Sequence, residues 1–457
     1  MTRQAAREPF VREVTVERVV PGGDGLAHVD GVVALVAGAL PGDRVIAELT
    51  VESPRLLRGR VVDVRAAGGH RRAQEAVCPR AKDGSCGGCD WPALRPESAA
   101  RLKSEIVFDA LRRIARLGDD EIPEPSFVPS RPNYRLRNRL HLDAEGRLGF
   151  FGPRSRQVSD LAVCEIVSKE LLARLPAIRD SLRAVGPVEG ELSTLENCEG
   201  TIVLGELRLG VPTGPGDSTK PKRGPFDGFR LVASDGRVLL EDGPLTLDLV
   251  VGSASFRVSV SSFFQGNRFL LDPFLEEIRT ALLAVRRKEK ERRGTLNALD
   301  LYAGVGFLTR PLLEVTAGSS GRVVAVEVEA SSWSDLSENL GRWEIEGLPA
   351  ARCVRATAEA FLSSDLTWKN PGDVDVVVAD PPRAGLSPVV RQGILRLLPR
   401  ALLLVSCDPP TLARDLGALG EAYRLSRLTL LDLFPGTHHV ESVALLLRRD
   451  EGPSVVR

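Results

Sequence analysis

The feature that most constrains the fold is a regular alternation of apolar runs and helical segments in the last third of the chain. The runs are LNALDL, VVAVEV, VDVVVAD, ALLLVSC, LTLLDLF and VALLL. This alternation predicts an α/β domain with a doubly wound, mainly parallel sheet. Ligands bind such sheets at the carboxyl ends of the strands, so the functional residues are expected there.

A glycine-containing turn, LYAGVGF (301–307), follows the first of these strands. Gly304 and Gly306 let the backbone approach a ligand closely. A dinucleotide fingerprint would need a third glycine where Thr309 stands, so a pyrophosphate cofactor is disfavoured. The next strand ends in Glu327, which is placed to bind both ribose hydroxyls of an adenosine. Together these residues resemble the S-adenosylmethionine site of class I (Rossmann-like) methyltransferases.

Two further strand ends carry residues that suit methylation of a weakly nucleophilic carbon. The fourth strand ends in Asp380-Pro381-Pro382-Arg383, and the fifth delivers Cys407 to the start of a helix whose amides are expected to lower its pKa. Addition of a thiolate to carbon 6 of uracil would activate carbon 5. A base must then remove the proton from carbon 5, and the candidate is Glu441. Taken singly, such a cysteine reads as a core residue and such a glutamate as a solvated one; the ordered set favours catalysis.

These segments resemble motifs of the RNA (uracil-5-)-methyltransferase family. SCDPPTLARD (406–415) resembles its nucleophile signature, DPPRAG (380–385) its Asp-Pro-Pro-Arg loop, and FPGTHHVE (434–441) the motif with the base. FFQGN (263–267) resembles the segment whose glutamine contacts S-adenosylmethionine. The cofactor-binding residues taken from the glycine turn and these motifs are Gln265, Tyr302, Gly304, Gly306, Phe307, Glu327 and Asp380.

The N-terminal region has the pattern of a small β-barrel. Short β-branched runs between residues 10 and 66 are separated by the turn signals PGGDG and LPGD. Such a barrel often binds single-stranded nucleic acid, although a generic small β domain shows the same pattern. The family resemblance implies an OB-like TRAM domain here.

Three of the seven cysteines lie within twelve positions, which indicates a metal site rather than a disulfide framework. Cys78, Cys86 and Cys89 resemble the segment that supplies three ligands of a [4Fe-4S] cluster in ribosomal-RNA members of the family. The resemblance implies Cys164 as the fourth ligand. Four thiolates would also suit zinc, which stays the alternative. Cys198 and Cys353 match no motif and are expected in the core.

Local charge indicates where RNA would bind. Lys+Arg and Asp+Glu both total 61, so the whole chain has no net charge. The segment 131–156 is basic, which suits phosphate contacts, although a solvated strand face is the alternative. Its candidate RNA-binding residues are Arg135, Arg137 and Arg139. Phe263 is the candidate for holding a uracil extruded from its helix.

The predicted domains are a TRAM domain (1–68), a mixed α/β central domain with the cysteine cluster (69–260) and a class I methyltransferase domain (261–457). No apolar run approaches the roughly 18 residues of a membrane span, and the N-terminal residues lack the apolar core of a signal peptide. A cytoplasmic, monomeric protein without a membrane partner is expected. A loop is predicted at 216–228, and an amphipathic helix over 96–117.

We therefore expect an enzyme that uses S-adenosylmethionine to methylate carbon 5 of a uridine in 23S ribosomal RNA. A TRAM domain with a cysteine cluster favours ribosomal RNA, because the simplest bacterial transfer-RNA members resemble the catalytic half alone. The same chemistry on transfer RNA is the alternative within enzymes. A catalytically silent RNA-binding protein is the alternative from another class.

Overall fold

The computed structural model describes residues 8–73, 77–183, 189–210, 224–290, 295–364, 368 and 370–449. Residues 211–223, which include most of the predicted loop at 216–228, lie outside this description. The described helices include none that is long and apolar enough to cross a membrane.

The N-terminal region forms a six-stranded sheet that curls into a half-barrel, in the order β1-β5-β6-β4-β3-β2. Its strands are β1 (Phe10–Thr15), β2 (Arg18–Val19), β3 (Gly25–Val29), β4 (Val32–Ala37), β5 (Arg44–Ser53) and β6 (Leu56–Ala66). Alternate residues of these strands, such as Val45, Ala47 and Leu49, form its own small core. The predicted OB-like β domain is confirmed.

A buried ion pair joins this half-barrel to the segment that follows it. Asp43, in the turn LPGD, is fully buried and accepts hydrogen bonds from the Leu40 and Gly68 amides. Arg71 donates two hydrogen bonds to the same carboxylate, at 2.9 and 2.6 Å. Because breaking a buried pair strands one charge in the interior, this contact fixes the two regions together.

Two helices and a short strand connect the half-barrel to the central sheet. They are α1 (Pro79–Lys82), α2 (Ala99–Ala110) and β7 (Ser126–Val128). The predicted helix over 96–117 is present as a 3-10 turn, α2 and a π-helical turn in succession. Leu102, Ile106 and Ala110 are buried as the periodicity predicts, whereas Ile114 is exposed on the π-helical turn.

The central region is a seven-stranded sheet, in the order β10-β9-β8-β11-β12-β13-β14, with one helix packed on it. Its elements are β8 (Arg137–Leu142), β9 (Leu148–Phe151), β10 (Val158–Asp160), α3 (Lys169–Arg183), β11 (Gly190–Glu196), β12 (Val203–Leu209), β13 (Gly228–Val232) and β14 (Val238–Asp242). Helix α3 buries Leu171, Leu175, Ile178 and Leu182, whose spacing puts them on one helical face.

The remaining chain begins with a two-stranded hairpin and continues as a sheet with helices on both faces. Its elements are β15 (Thr246–Val251), β16 (Ala254–Ser259), α4 (Leu271–Lys290), β17 (Ala298–Leu301), α5 (Thr309–Thr316), β18 (Val323–Glu327), α6 (Ala330–Ile345), β19 (Ala351–Arg355), α7 (Ala358–Ser363), β20 (Val376–Ala379), α8 (Pro388–Leu397), β21 (Ala401–Ser406), α9 (Pro409–Leu419), β22 (Tyr423–Leu431) and β23 (Glu441–Arg448).

This sheet has the order β19-β18-β17-β20-β21-β23-β22-β7. Its first five strands are parallel and β23 runs against its neighbours, so the predicted class I α/β fold is confirmed. Helices cover both faces, which explains why β17, β18, β20 and β21 are buried throughout and read as continuous apolar runs.

Two elements from earlier in the chain complete this sheet. Strand β7 pairs in parallel with β22 at the sheet edge, and Ser126 and Thr429 share a hydroxyl hydrogen bond of 2.8 Å. Helix α2 buries Val107 and Ala110 in the same apolar cluster as the sheet residues. Both elements lie within 69–260, the range predicted for the central domain.

Candidate active site

The turn between β17 and α5 has an unusual backbone. Tyr302 and Gly304 have φ values of 64° and 58°, in the left-handed region. A Cβ added to Gly304 would meet no atom within 4 Å, so the backbone is open to a ligand there. Gly306 has a different reason to be glycine, because an added Cβ would lie 2.9 Å from Leu336 and 3.0 Å from Trp343.

A cavity of about 520 Å³ lies beside this turn and is lined by Tyr302 and Glu327. One oxygen of Glu327 accepts a hydrogen bond from the Gly304 amide at 2.8 Å. The other accepts from the amides of Val328 and Glu329, at 2.8 and 2.7 Å. Three amides therefore fix the carboxylate that sequence reasoning assigns to the ribose.

Asp300, near the end of β17, is fully buried and contacts Thr309, which stands where a dinucleotide fingerprint would have its third glycine. The Thr309 hydroxyl donates to Asp300 Oδ2 at 2.5 Å. Oδ1 of the same carboxylate has no hydrogen-bond partner among the described residues. Burial raises the pKa of Asp300 to about 7, and the nearby Asp380 and Glu327 add to this rise. A buried acceptor of this kind fits a ligand that donates hydrogen bonds, as S-adenosylmethionine does.

Gln265 and Phe307 approach the glycine turn in different ways. The Gln265 side-chain amide donates to Asp380 Oδ2 at 3.1 Å and opposes the burial that raises the pKa of Asp380 to about 7. The Phe307 ring packs against Phe256, Phe264 and Phe274 in the core. Any contact of Phe307 with a cofactor would therefore come from its backbone.

Cys407 and Glu441 are brought together by the register of two strands. Strands β21 and β23 are antiparallel, and Ser406 pairs with Ser442. Cys407 directly follows this last pair on one strand and Glu441 directly precedes it on the other, and the charge of Glu441 acts on the Cys407 thiol. The strand ends therefore place a thiol beside a buried carboxyl group.

The charges around this pair oppose ionisation of both groups. Burial, followed by the nearby Glu441, raises the pKa of Cys407 to about 12. Burial and Asp380 raise the pKa of Glu441 well above its usual value. The guanidinium of Arg383 lowers both pKa values and is the nearby positive charge that partly offsets these effects.

The prediction that helix amides lower the pKa of Cys407 is wrong. Helix α9 begins with Pro409 and Pro410, and proline has no N–H group. The Thr411 amide is also engaged, because it donates to the Asp408 carboxylate at 3.0 Å. The first turn of the helix therefore offers little to stabilise a thiolate, and burial dominates.

The segment between β22 and Glu441, residues 432–440, is called the base loop below. The His439 ring lies 4.1 Å from the His438 ring, and its Nε2 is 3.1 Å from the guanidinium of Arg383. Burial, His438 and Arg383 lower the pKa of His439 to about 4. A neutral His439 therefore accepts a hydrogen bond from Arg383, whose positive charge also acts on Cys407 and Glu441.

Comparison with known proteins shows which family the chain belongs to. The profile of the tRNA (Uracil-5-)-methyltransferase family matches residues 255–449, and the TRAM domain profile matches residues 10–62. A Streptomyces avermitilis protein named as an uncharacterized RNA methyltransferase is 30% identical, with 95% of this chain and 97% of that protein covered. One from Corynebacterium efficiens is 31% identical, with 95% and 94% covered. The chain belongs to the RNA (uracil-5-)-methyltransferase family.

The solved structures include one with the same overall fold as this methyltransferase. It is the Pyrococcus abyssi tRNA (uracil-54, C5)-methyltransferase in complex with S-adenosyl-L-homocysteine. The two chains are 22% identical and superpose with a TM-score of 0.68, covering 95% of this chain and all of the other. The likeness therefore includes the half-barrel and central sheet as well as the catalytic sheet.

The four candidate cluster cysteines of the methyltransferase line one cavity of about 470 Å³. Burial raises the pKa of Cys89 to about 12, and the neighbouring Cys164 and Cys86 raise it further. Burial likewise raises the pKa of Cys164, and the neighbouring Cys86 and Cys78 add to this rise. Within the described ranges, no three His, Cys, Asp or Glu side chains are grouped as a single metal ion would require. The thiols thus border a shared space rather than converge on one point.

This cavity adjoins the base loop and the TRAM half-barrel. The Trp91 amide donates to Gly436 O at 2.9 Å, and the Trp91 indole donates to Gly23 O at 2.7 Å. Asp90 accepts a hydrogen bond from the His438 amide at 3.0 Å and also contacts the His438 ring. All three regions of the methyltransferase therefore meet at the segment that follows Cys89.

The candidate RNA-binding residues differ in accessibility. Phe263 is 64% exposed, and the side chain of Arg139 is 73% exposed although it pairs with Glu191. Arg135 lies over the Phe150 ring, 5.6 Å from its centroid. Arg137 points inward and donates to Val260 O at 3.0 Å, and burial lowers its pKa to about 10. The basic segment is thus only partly a surface.

Sequence reasoning missed Lys103, which contacts the base loop. Ala99, Lys103, Ile106 and Ala110 follow a helical spacing, so a lysine lies on the apolar stripe of α2. That misplaced charge is the signal from which a buried functional contact could have been inferred.

Proposed function

We propose that this methyltransferase modifies carbon 5 of a uridine in 23S ribosomal RNA, with Cys407 as nucleophile and Glu441 as general base. The observation that supports the proposal is the pairing of Ser406 with Ser442, since Cys407 and Glu441 each adjoin this last pair of β21 and β23. A thiol and a carboxyl group are the two groups that this reaction requires from the protein.

Each group has a defined part in the proposed reaction. The Cys407 thiol loses its proton to solvent, and the resulting thiolate forms a bond to carbon 6 of uracil, so that the displaced π electrons make carbon 5 nucleophilic. S-adenosylmethionine supplies the methyl group. The Glu441 carboxylate then takes the proton from carbon 5. The electrons of that C–H bond restore the double bond as the carbon–sulfur bond breaks and Cys407 leaves as a thiolate.

The electrostatics support a division of labour within this pair. Once ionised, a carboxylate with a raised pKa is a stronger base than an ordinary one, and the nearby Arg383 guanidinium favours the ionised form of Glu441. Cys407 is held as a neutral thiol in the free protein because its pKa is about 12. Arg383 is the group we assign to stabilising the thiolate once substrate is bound.

We assign the cofactor to the cavity beside the glycine turn. Glu327 would bind the ribose, Tyr302 would line the cavity, and the open backbone at Gly304 would allow close approach. Gly306 and Phe307 would shape the turn, while Gln265 and Asp380 would hold the end of the cofactor nearest Cys407.

The RNA contacts are proposed from exposure and charge. Phe263 offers a ring for stacking on an extruded base, and Arg139 offers a guanidinium to phosphates. Arg135 and Arg137 would contribute positive potential from positions closer to the protein interior. The TRAM domain would extend this surface.

Transfer RNA is the second candidate substrate. The Pyrococcus abyssi structure, whose protein modifies uracil 54 of tRNA, matches this chain over its full architecture, so a TRAM domain does not by itself favour ribosomal RNA. The sequence segment with Cys78, Cys86 and Cys89 resembles that of ribosomal-RNA members of the family, and this resemblance keeps 23S ribosomal RNA as the first choice.

A direct assay separates these candidates. Purified protein would be incubated with methyl-labelled S-adenosylmethionine and either 23S ribosomal RNA or transfer RNA from a strain lacking the gene, and 5-methyluridine would be mapped by mass spectrometry. Label in 23S RNA that the Cys407→Ala variant does not produce is the expected result. Label confined to transfer RNA would support the second candidate, and label in neither RNA would contradict both.

We propose a [4Fe-4S] cluster on Cys78, Cys86, Cys89 and Cys164. The donor set fits, because four cysteines border one cavity, and such a cluster would brace the junction of the three regions. Anaerobically purified protein should contain about four iron and four sulfide per chain. Stoichiometric zinc without sulfide would establish a zinc site instead.

We further propose that the enzyme acts as a monomer in the cytoplasm, where RNA is available and thiols stay reduced. We also propose three units, 1–68, 69–260 and 261–457. Size-exclusion chromatography with light scattering would test the monomer, and limited proteolysis would test the boundaries.

A further inference from the structure

The base loop is held by a buried lysine from a distant part of the chain. Lys103 in α2 has no exposed surface. Its ammonium donates to Asp432 Oδ1 at 2.5 Å, to His439 O at 2.6 Å and to Phe434 O at 3.2 Å. An ammonium has three protons to donate, so Lys103 directs its full hydrogen-bonding capacity to this one loop.

The position of these partners matters for Glu441. Asp432 directly follows β22, and His439 lies two residues before Glu441. A single ammonium therefore joins the beginning of the base loop to its end. The loop has two further anchors: Asn267 donates to Leu433 O near its beginning at 3.0 Å, and the Trp91 amide donates to Gly436 O in its middle at 2.9 Å.

Stability alone is a poor explanation for this arrangement. Burial lowers the pKa of Lys103 and raises that of Asp432, which means that burial disfavours the charged form of both groups. Buried ion pairs are often no more stable than apolar residues of similar size. What an apolar replacement would lose is the directional link between the two ends of the loop.

We propose that Lys103 is the positioning residue for the general base: by joining Asp432 to His439 it fixes the base loop and holds Glu441 at the distance from carbon 5 that proton removal requires. This inference rests on the proposed role of Glu441. Lys103 itself touches neither of the two proposed catalytic side chains in the contacts given by the structure, so its effect is on geometry.

The test separates positioning from folding. Lys103→Met removes the ammonium but leaves Asp432 as an unpaired buried charge, so this variant should melt at a lower temperature than the parent. The double variant Lys103→Met/Asp432→Asn removes both charges and should recover much of that loss. Asp432→Asn alone keeps the ammonium and its two carbonyl partners and serves as the matched comparison.

The decisive readout is the methylated covalent adduct between Cys407 and RNA. If Glu441 is misplaced, proton removal slows after methyl transfer, so turnover should fall between about tenfold and 100-fold and labelled adduct should accumulate. We expect this in Lys103→Met and in the double variant, with less adduct in Asp432→Asn. The KM for S-adenosylmethionine should stay close to that of the parent.

Three results would overturn the proposal. The first is a double variant that regains activity together with stability and accumulates no adduct, which would make Lys103 structural only. The second is Glu441→Gln trapping no adduct, which would remove Glu441 as the base and with it the reason for a positioning role of Lys103. The third is adduct in Glu441→Gln but not in the Lys103 variants, which would leave the proposed function standing and reject only the positioning role of Lys103. Should the double variant not fold, Lys103→Met assayed below its melting temperature carries the same readout.

Discussion

Cys407 and Glu441, the proposed catalytic pair, are positioned in contrasting ways. Cys407 follows β21 directly, and the next few residues, from Asp408 to Thr411, build the helix start behind it. Glu441 arrives after the base loop, whose contacts come from Lys103, 329 positions before Asp432, and from Asp90, 348 positions before His438. The helix start behind Cys407 is thus built from neighbouring residues, whereas the loop before Glu441 is held by residues more than 300 positions away.

The largest effect should come from removing the thiol of Cys407. Cys407→Ala is expected to abolish methylation and any covalent RNA adduct, because carbon 5 is not activated without thiolate addition. Incorporation of label from S-adenosylmethionine into RNA, with RNA binding measured in parallel, checks this. Full activity in a variant that binds RNA normally would end the mechanism.

Removing the carboxylate of Glu441 should give a different result, a trapped covalent adduct. Glu441→Gln is expected to methylate slowly once and then stall, since thiolate addition and methyl transfer do not need the carboxylate but elimination does. A denaturant-resistant RNA–protein band that carries the methyl label and depends on Cys407 is the observable. Turnover at the parent rate would show that another group, such as His439 or His438, acts as the base.

Ionisation of Cys407 gives the next test, because Glu441 raises its pKa and Arg383 lowers it. Its pKa of about 12 means that iodoacetamide should label it at higher pH than an exposed cysteine, whose pKa is about 8.5. Glu441→Gln removes a negative neighbour and should move the labelling curve to lower pH. Arg383→Met removes a positive neighbour and should move it to higher pH.

Peptide-resolved mass spectrometry of the free protein measures these curves. Opposite shifts in the two variants are the prediction. Shifts in the same direction would show that packing around the thiol, rather than charge, controls its pKa.

The smallest expected effect concerns the cap behind Cys407. Asp408→Ala removes the acceptor for the Thr411 amide and should lower the free energy of unfolding by about 1 kcal/mol. It also removes a nearby negative charge, so Cys407 should be labelled slightly faster. Thr357→Ala removes the cap of α7 and provides the control: a similar loss of stability without a change in labelling of Cys407. A Cys407 curve that moves equally in both variants would contradict this.

The same contrast explains what the sequence could predict. Cys407, Asp380 and Glu327 were found because each follows a buried apolar run, and such runs end at one edge of a parallel sheet. Glu441 was found from its motif. Its place beside Cys407 depends on the antiparallel register of β23, which no local pattern specifies.

Long-range packing accounts for what was missed. Phe307 lies in an aromatic cluster whose other members are 33 or more positions away in sequence, so its burial has no local signal. Arg137 belongs to a basic stretch but turns inward to Val260 O. The thiol pKa was a different case, because Pro409 and Pro410 are visible in the sequence and already exclude two amide donors.

Strand β7 bears on how this protein can be divided and recombined. The family match begins at residue 255, yet a fragment cut there would lack β7 and leave β22 as a bare edge with unpaired backbone groups. It would also expose the apolar surface that α2 covers, and such edges and patches promote aggregation. Joining the methyltransferase domain to another RNA-binding module would therefore need residues from about 99 onward. The segment that must be transferred together is far longer than the family match at 255–449.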